Sequence, residues 1–495
     1  MKFLRILQKQ KIVWYLLAVC TVFIILRGPS LIEPDWYGDE GIYQVVGQAL
    51  NDHRLLYRDI WDNKPPLLYL IYALVNGDLT SIKTLSLFFG MGSLIALFFL
   101  TQKLYNKRII TFIVTLLYSV LFAMPLIEGD IANAENFMLL PTILAGFLIY
   151  SSTQKKHLSP LTSYYSFLIS GLLLGIAFLF KIVAVFDMVA FILYLGIVTK
   201  LQKNSLKHFS LIKRYALLLF AFVVPLLVAI MYFTSVHGLS DFLHAAFAGN
   251  VAYVGFENTL FGIPQGLLIA KIILLSIAVG IVIWKRRKFS QAALFVTLWF
   301  LFSLFNSFFS GRPYTHYVLN LLPSFCLLVG FAIYITAKRI RFFIITVLLA
   351  TVGVIYLHFT FYIPKAFLYY NNAFQFILGN KTVTDYQSFF DIKTPRDYAV
   401  ASFIKQQSLK KNDVYIWGDH PQIYALSHTL PLTKYTVAYH VITSNKAIEQ
   451  TQQTILKKTP RYVIVLEEAP PLPFSLPLYI MRFRMEGATI YERSF

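Results

Sequence analysis

The sequence predicts an α-helical, polytopic membrane protein with a small C-terminal α/β domain outside the membrane. Of its 495 residues, 57% are hydrophobic and 17% aromatic, and the mean hydropathy is +0.62. This is more apolar surface than a soluble fold can bury. The apolar residues form runs of about 16 to 22 residues, close to the length that crosses about 30 Å of hydrocarbon, and polar segments separate them.

Eleven such runs are predicted to span the membrane, and the segments between them are mostly short. The runs cover residues 12–27, 82–102, 109–125, 137–151, 164–180, 182–199, 215–236, 265–284, 290–309, 317–336 and 342–361.

The net charge of +20 follows the membrane topology. Lys and Arg are concentrated in the N-terminal segment and in every second loop, and those segments contain no Asp or Glu. By the positive-inside rule the N-terminus is cytoplasmic, and an odd number of spans places the C-terminus outside. The chain is therefore expected in the plasma membrane, with Gly129 and Asn258 outside, Ser205 inside, and no nucleic-acid partner.

Two outward segments are long enough to contain structure, namely residues 28–81 and the chain beyond 362. Apolar residues between Asp39 and Leu50 recur with a helical period, which predicts a short amphipathic helix in the outer membrane interface. Two domains are predicted, a transmembrane domain (1–362) that includes the outer loop and an extracytoplasmic α/β domain (363–495). Its predicted elements are helices at 395–407, 421–428 and 447–458 and strands at 413–418, 461–467 and 488–493.

The adjacent acids Asp39 and Glu40, in WYGDEGIYQ, allow two interpretations. Asp39 would cap the interfacial helix, and Glu40 would lie favourably in its first turn. A capping acid is also rigidly placed to act as a base. The same loop contains more acids than one helix end requires, namely Glu33, Asp35, Asp52, Asp59 and Asp62.

Lys64 precedes two prolines, which stop a helix from running through it, and then about nine apolar residues. Next to a groove in the membrane it would suit an anionic lipid headgroup; alternatively its ammonium simply reaches out to water. The second outer loop carries Glu128, Asp130 and Glu135 and no base. These acids could line a polar cavity, hold a metal ion, or be solvated.

Arg312 and His316 flank the outer end of the tenth span, with Tyr317 beside them. The planar fork of Arg suits phosphate oxygens, although an aromatic belt with an interfacial Arg would look similar. Lys271 lies inside an apolar span, where a charge is costly and usually functional. Lys181 and Asp187 are expected to pair with each other.

Acids in the outer loops, together with Lys64, Lys271, Arg312 and His316 at similar depth, indicate a site that binds a lipid phosphate and abstracts a proton. Such a site suits the transfer of a group from a lipid phosphate to an acceptor outside. A lipid-linked sugar flippase or polysaccharide transporter would need a similar cationic cavity. Transporters, however, more often show repeated halves.

Four motifs in order, "DEGIY", "KPP", "EGDIANAENFML" and "RPYTHYVLNLLP", resemble the membrane glycosyltransferases of family 39 and the related aminoarabinose transferases. The resemblance covers roughly residues 10 to 360 and, more loosely, "VYIWG" and "RYVIV". It implies a C-type inverting glycosyltransferase that takes a sugar from a polyprenyl phosphate carrier. A MIR-type insertion and a WWDYG-like motif are lacking, so the acceptor, whether glycolipid, glycan or protein, stays open.

By that resemblance Asp39 is the base that activates the acceptor and Glu40 is its neighbour. Asp130 or Glu135 would be the second-loop partner. The donor phosphate would be bound by Lys64, Lys271, Arg312, His316 and Tyr317. No cofactor is expected to be required, although the clustered carboxylates would permit a divalent metal ion. The expected partners are the polyprenyl-phosphate sugar, an extracytoplasmic acceptor and membrane lipids.

Overall fold

The computed structural model describes residues 2–154, 160–201, 207–250, 258–260 and 263–494. The chain forms two compact units, each built from three segments. The first unit comprises Met1–Ser30, Leu85–Met231 and Asn250–Ala366, and the second comprises Leu31–Thr84, Tyr232–Gly249 and Phe367–Phe495. Most of the predicted outer loop 28–81 thus belongs to the same unit as the C-terminal segment. The predicted domain boundary after residue 362 stays a prediction.

The described residues are mostly helical. In chain order the helices are α1 (Lys2–Arg27), α2 (Gly38–Asn51), α3 (Pro66–Leu74), α4 (Leu79–Tyr105), α5 (Arg108–Ala123), α6 (Ala134–Gln154), α7 (Pro160–Phe180), α8 (Val185–Leu201), α9 (Lys207–Ser235), α10 (Leu239–Leu243), α11 (Gly266–Trp284), α12 (Gln291–Ser307), α13 (Leu322–Tyr334), α14 (Lys338–His358), α15 (Ile363–Ile377), α16 (Val383–Ser388), α17 (Thr394–Gln406), α18 (Gln422–Ser427), α19 (Ala438–Val441) and α20 (Asn445–Lys458).

Among the described residues, seven helices are long and apolar enough to cross a membrane. They are Ile12–Ile32, Leu79–Tyr105, Ala134–Gln154, Ile182–Leu201, Leu211–Ser235, Gly266–Trp284 and Lys338–His358. Four shorter apolar helices, Arg108–Ala123, Tyr164–Phe180, Gln291–Ser307 and Leu322–Tyr334, lie at the other predicted spans. The predicted class, a polytopic helical membrane protein with a small C-terminal sheet, is confirmed.

The first unit is held together by one large apolar core between its helices. Aromatic rings fill much of it: Phe191 stacks on Phe295 with ring centroids 5.5 Å apart, and Trp299 packs edge-on against both. Many apolar side chains on the outward faces of α9, α11 and α14 are exposed in the protein alone, including Trp284 and Leu357. Such continuous apolar exposure is the surface expected to face lipid.

In the second unit, α2 and α3 pack closely because glycines let main chains approach. A Cβ on Gly47 would lie 2.7 Å from the Tyr72 backbone, and one on Gly41 would lie 2.8 Å from the Gln422 nitrogen. The helix α3 begins at Pro66, with Pro65 as its N-cap residue, as the two prolines after Lys64 predict. Any larger residue at Gly41 or Gly47 would push α2 away from its neighbours.

The sheet of the second unit has four strands, β1 (Val414–Trp417), β2 (Tyr462–Leu466), β3 (Tyr479–Met485) and β4 (Ala488–Arg493), in the order β1-β2-β4-β3. β1 and β2 are parallel, as a helix between them requires, whereas β4 is antiparallel to both β2 and β3. The sequence predicts β1, β2 and β4 but misses β3, whose residues are mostly exposed although apolar side chains and arginines alternate from Met481 to Met485. An edge strand of this kind carries little signal.

Candidate functional site

The acids of the first outer loop lie in and around the first turn of α2. Its N-cap residue is Tyr37, without a side-chain capping bond, and Asp39 is the second residue of the helix. The interpretation of Asp39 as the helix cap is therefore wrong. The Asp39 carboxylate is only partly buried, and the Tyr43 hydroxyl, one turn further on, donates to its Oδ2 at 3.2 Å.

Glu40 belongs to a buried ion triad that the sequence analysis missed. Lys83 Nζ lies 2.9 Å from Glu33 Oε2 and 3.0 Å from Glu40 Oε2, and the Lys83 side chain is 0% exposed. The Tyr369 hydroxyl donates to the other oxygen of Glu33. Two carboxylates surrounding one ammonium satisfy charges that would otherwise be costly to bury. The catalytic role predicted for Glu40 stays a prediction, and its contacts indicate that it fixes α2.

Asp35 is buried near this triad. Its Oδ1 accepts a hydrogen bond from Gln44 Nε2 at 2.5 Å, and its backbone N–H donates to the Tyr398 hydroxyl. Burial raises the pKa of Asp35 to about 7; the Gln44 hydrogen bond lowers it, and the Glu40 carboxylate raises it further. The Asp35 carboxyl is buried and bonded to Gln44, so it is less accessible to an acceptor than the partly exposed Asp39.

The remaining acids of this loop are each held by a partner. Lys411 Nζ lies 2.6 Å from Asp52, Arg58 forms a two-point contact with Asp59, and the Tyr69 hydroxyl donates to buried Asp62 at 2.7 Å. The ion pairs among the described residues do not include Asp39. Asp39 is partly exposed and therefore accessible to an acceptor; Asp78, just before α4, is also exposed and accepts a hydrogen bond from the Ser81 N–H.

Lys64 is positioned through its backbone. The Tyr57 hydroxyl donates to the Lys64 carbonyl at 2.8 Å, and the Lys64 N–H donates to the Tyr69 hydroxyl at 3.0 Å. Its ammonium donates to Asn63 Oδ1 and lies 5.9 Å from the centre of the Tyr43 ring. Tyr43 therefore contacts both Asp39 and Lys64, which brings a carboxylate and a cation to one aromatic side chain.

A second network, also missed from sequence, supports α2 from the C-terminal segment. His420 lies 2.7 Å from Asp397 Oδ2 and 3.0 Å from Glu468, and Arg396 contacts both acids. Gln422, the first residue of α18, donates to Asp397 Oδ2 at 2.8 Å. This network fixes the start of α18, which is the segment that packs on Gly41. It therefore helps to set the position of Asp39.

In the first unit, the second-loop acids meet the segment that precedes α13. Glu128 accepts from the Thr315 hydroxyl at 2.5 Å, and its other oxygen lies 2.9 Å from His316 Nδ1. The His316 Nε2 lies 3.8 Å from Glu135 Oε1. His316 therefore lies between Glu128 and Glu135, and the roles predicted for His316 and Glu135 stay predictions.

Glu135 also forms an ion pair with Lys181, whose ammonium lies 4.5 Å from the centre of the Tyr317 ring. The expectation that Lys181 pairs with Asp187 is wrong. Asp187 is buried and accepts from Trp299 Nε1 at 2.7 Å. Sequence spacing favoured Asp187 because it lies close to Lys181 in the chain. The actual partner, Glu135, is distant in sequence.

Three further residues of the first unit were predicted to belong to the site: Lys271, Asp130 and Arg312. Their described contacts do not include the ion pairs above. Lys271 donates to Asn258 Oδ1 at 2.8 Å and to the Phe308 carbonyl at 2.5 Å, and so bonds the C-terminal end of α12. Asp130 is buried, and Arg312 is partly exposed. The roles predicted for all three stay predictions.

Across the residues that the structure describes, no group of three His, Cys, Asp or Glu side chains is arranged to hold a metal ion. The clustered first-loop acids bind lysines, arginines and hydroxyl groups of the protein itself.

Comparisons with known proteins bear on the fold. A family model described as "Dolichyl-phosphate-mannose-protein mannosyltransferase" matches residues 64–229. No curated protein sequence matches the chain. ArnT from Cupriavidus metallidurans bound to undecaprenyl phosphate aligns with a TM-score of 0.56 and 13% identity, covering 97% of this chain and 98% of ArnT.

The apo state of the same ArnT aligns with a TM-score of 0.55 and 14% identity, covering 98% of each chain. An apo oligosaccharyltransferase from Archaeoglobus fulgidus covers 92% of this chain and 69% of that one at 11% identity, but its TM-score of 0.46 is too low to indicate a shared fold. The chain is thus a polytopic membrane protein with the fold of ArnT. The resemblance to C-type glycosyltransferases that its motifs indicate is confirmed.

Proposed function

We propose that the protein is an integral-membrane glycosyltransferase that moves a sugar from a polyprenyl-phosphate carrier to an acceptor outside the cell membrane. The observation that carries this proposal is that a carboxylate, Asp39, and a cation, Lys64, both contact the side chain of Tyr43. The ArnT structure with bound undecaprenyl phosphate has the same fold, which supports a lipid-phosphate donor. The family model on residues 64–229, described for a dolichyl-phosphate-mannose enzyme, supports the same donor class.

In the proposed reaction Asp39 takes the proton of the acceptor nucleophile as that nucleophile attacks the anomeric carbon of the donor sugar. The bond between that carbon and the phosphate oxygen breaks, and polyprenyl phosphate leaves with the bonding electrons. Attack opposite the leaving group inverts the anomeric configuration. A phosphate is a good leaving group, so the site needs a base and a cation more than a general acid. Lys64 supplies the cation.

The network around Glu128, Glu135, Lys181 and His316 in the first unit serves donor binding in this proposal. Two carboxylates face one lysine and one histidine, so the network carries no net positive charge, and its proposed part is to position His316 and Tyr317. Arg312 and Tyr317 are proposed to contact the donor phosphate as well. Lys271 is better explained by its bonds to Asn258 and to the end of α12.

The proposed function is tested with purified protein in liposomes, given a polyprenyl-phosphate sugar whose sugar is radiolabelled and an extract of cell-envelope acceptors. Lipid flipping is measured in parallel with a fluorescent headgroup. Transfer of label to acceptor without flipping supports the transferase. Flipping without transfer would support the lipid-linked sugar transporter instead and would overturn the proposal.

Donor binding gives a sharper test of Lys64. The Lys64→Gln variant is expected to bind a polyprenyl-phosphate sugar about ten- to hundredfold more weakly, because a charge-assisted contact to phosphate is lost. Lys381→Gln is a matched control: Lys381 is also partly exposed, lies in the same unit and donates to an Asn side chain at 2.6 Å. Affinity is measured by thermophoresis. Equal affinities in the two variants would remove Lys64 from the donor site.

The orientation across the membrane is part of the proposal, with the N-terminus cytoplasmic and the C-terminus outside. Ser205 lies outside the described residues, Asn258 is buried, and a Cβ on Gly129 would lie 1.8 Å from the Phe122 carbonyl, so other reporter positions are needed. With Cys20 and Cys326 replaced, a cysteine at Glu486 should react with an impermeant maleimide on intact cells. One at Arg287 should react only after permeabilisation. The reverse pattern would invert the topology.

A further inference from the structure

The second unit contains a cavity of about 660 Å³ that the proposed reaction does not use. It lies between the loop after α2, the segment before α19 and the C-terminal half of α20. Its lining residues are His53, Arg54, Arg58, Asp59, Asn412, Leu432, Thr433, Lys434, Tyr435, Gln450, Thr451, Gln453, Thr454, Lys457 and Lys458. We call this space the basic cavity.

The charge of the basic cavity is strongly positive. Among the described residues its lining contains five cations and one carboxylate, Asp59, which is already paired with Arg58. Arg54 donates to the Pro431 carbonyl and to Asn412 Oδ1, both uncharged, and Lys458 donates to the Leu432 carbonyl. These bonds orient the cations without adding a negative charge, although the carboxylates of Asp52 and Asp59 partly offset the charge of Arg54.

The cations also repel one another. Burial lowers the pKa of Lys458, and the neighbouring charges of Arg54 and Lys457 lower it further. An anion in the cavity would relieve this repulsion. The positions of Lys457 and Lys458 in the last turn of α20 are favourable because of the helix dipole alone. The helix dipole does not explain the positions of Arg54, Arg58 and Lys434, because these residues belong to other segments.

The uncharged part of the lining is rich in amides and hydroxyls, the groups that pair with sugar hydroxyls. Gln450, Gln453 and Thr454 lie along one side of α20. Thr451 is 1% exposed, and its hydroxyl has no hydrogen-bond partner among the described residues. Tyr435 adds an aromatic ring, with the Lys434 ammonium 5.2 Å from its centre. Cations, amides and one aromatic face together fit an anionic saccharide better than a lipid chain.

The basic cavity shares a chain segment with Lys64. His53, Arg54, Arg58 and Asp59 line the cavity, and Lys64 follows five residues after Asp59. The Trp61 N–H donates to the Lys434 carbonyl at 2.8 Å, and Tyr57 bonds the Lys64 carbonyl. A ligand that binds Arg54 or Lys434 therefore contacts the segment that positions Lys64.

We propose that the basic cavity binds an anionic saccharide through a phosphate or carboxylate group and holds the acceptor of the transfer. That the ligand is the acceptor rests on the proposed function; that it is an anionic saccharide rests on the lining alone.

The test uses purified full-length protein and three probes, glucose 6-phosphate, glucuronate and glucose, with affinities from saturation-transfer difference NMR. At least one charged sugar should bind at least about tenfold more tightly than glucose. The triple variant Lys434→Gln, Lys457→Gln, Lys458→Gln should lose that preference. The two charged probes distinguish a phosphate from a carboxylate as the recognised group.

A charge-matched control replaces three exposed lysines of the same unit outside the cavity, Lys405, Lys410 and Lys446, with glutamine. It should bind the charged sugars as the unmodified protein does, and thermal unfolding should show both triple variants folded. Equal binding of glucose and the charged sugars, or equal losses in both triple variants, would overturn the proposal. Native mass spectrometry tests whether the cavity binds a lipid instead. An anionic phospholipid that is retained by the unmodified protein and lost only from the cavity variant would identify a lipid site and overturn the proposal of a saccharide ligand.

Binding of these probes is measured without a sugar donor. The proposal for the basic cavity and the proposed function can therefore be refuted independently of each other. Charged-sugar binding that depends on the cavity lysines, in a protein without transfer activity, would overturn the function and leave the saccharide site. Transfer without such binding would overturn the cavity proposal alone.

Discussion

Replacing Asp39 with asparagine is expected to reduce turnover at least about a hundredfold, since proton abstraction by a positioned base contributes about 10²- to 10⁴-fold. Asparagine has the size of aspartate but cannot accept the proton at neutral pH. Donor binding should change little, because Lys64 and its backbone contacts are unaffected. The measurement is steady-state transfer of radiolabelled sugar together with donor affinity on the same preparation.

The stability of the Asp39→Asn variant should stay close to that of the unmodified protein. The side chain is partly exposed, does not cap α2 and has one described hydrogen bond, from Tyr43 at 3.2 Å. Loss of a negative charge from the first turn of a helix costs only about 0.3 to 1 kcal/mol. A loss of activity that merely follows a loss of folded protein would contradict the assignment of Asp39 as the base.

Asp52→Asn is the matched control, since Asp52 adjoins the other end of α2 and is paired with Lys411 on the protein surface. It should keep turnover within about twofold, because a surface ion pair contributes little to stability. If Asp39→Asn also stays within a few fold of the unmodified protein, another group takes the proton. Glu40→Gln is less informative, because it disturbs the ion pair with buried Lys83.

The second large effect concerns stability. Replacing Lys83 with methionine should lower the free energy of unfolding by about 3 to 5 kcal/mol, because removing one member of a buried ion network leaves uncompensated charges. Glu33 and Glu40, both nearly fully buried, would face each other without the ammonium between them. Chemical denaturation in detergent, followed by tryptophan fluorescence, measures the change.

The triple variant Lys83→Met, Glu33→Gln, Glu40→Gln separates this explanation from simple loss of packing. It removes all three charges, so it should recover most of the stability that Lys83→Met loses. Lys103→Met, an exposed lysine at the other end of α4, is the control and should be nearly neutral. A small effect of Lys83→Met would mean that the two carboxylates are already neutral in the folded protein, and no recovery in the triple variant would assign the loss of stability to packing.

Much of the fold could be predicted because its signals are local. The length of an apolar run indicates a membrane helix. The alternation of predicted helices and strands after residue 362 indicates a small α/β domain. The start of α3 follows from Pro65 and Pro66. The edge strand β3 is the exception, since its apolar and charged residues alternate over only a short stretch and most of them are exposed.

The candidate site could be predicted only in part, because residue type indicates chemistry but not partners. Asp39 and Lys64 were identified from sequence, yet their common contact Tyr43 was not. In the sequence Lys83 is an ordinary lysine in the first turn of a predicted span. Its partners Glu33 and Glu40 lie 50 and 43 residues earlier in the chain. Lys181 was paired with the nearest acid in sequence, whereas its partner is Glu135. For Lys83 and Lys181 the partners are distant in sequence, so spacing along the chain could not identify them.

The glycines of α2 have a consequence for movement. Gly41 lies against the main chain at Gln422 and Gly47 against the main chain at Tyr72, so α2 meets peptide backbone at two positions along its length. Backbone-to-backbone contacts leave no side chain to change rotamer and absorb a shift. A rotation or sliding of α2 would therefore bring backbone atoms into collision unless the chain at Gln422 and Tyr72 moved with it. In the proposed reaction, the carboxylate of Asp39 is then expected to shift together with α3 and α18 and not independently of them.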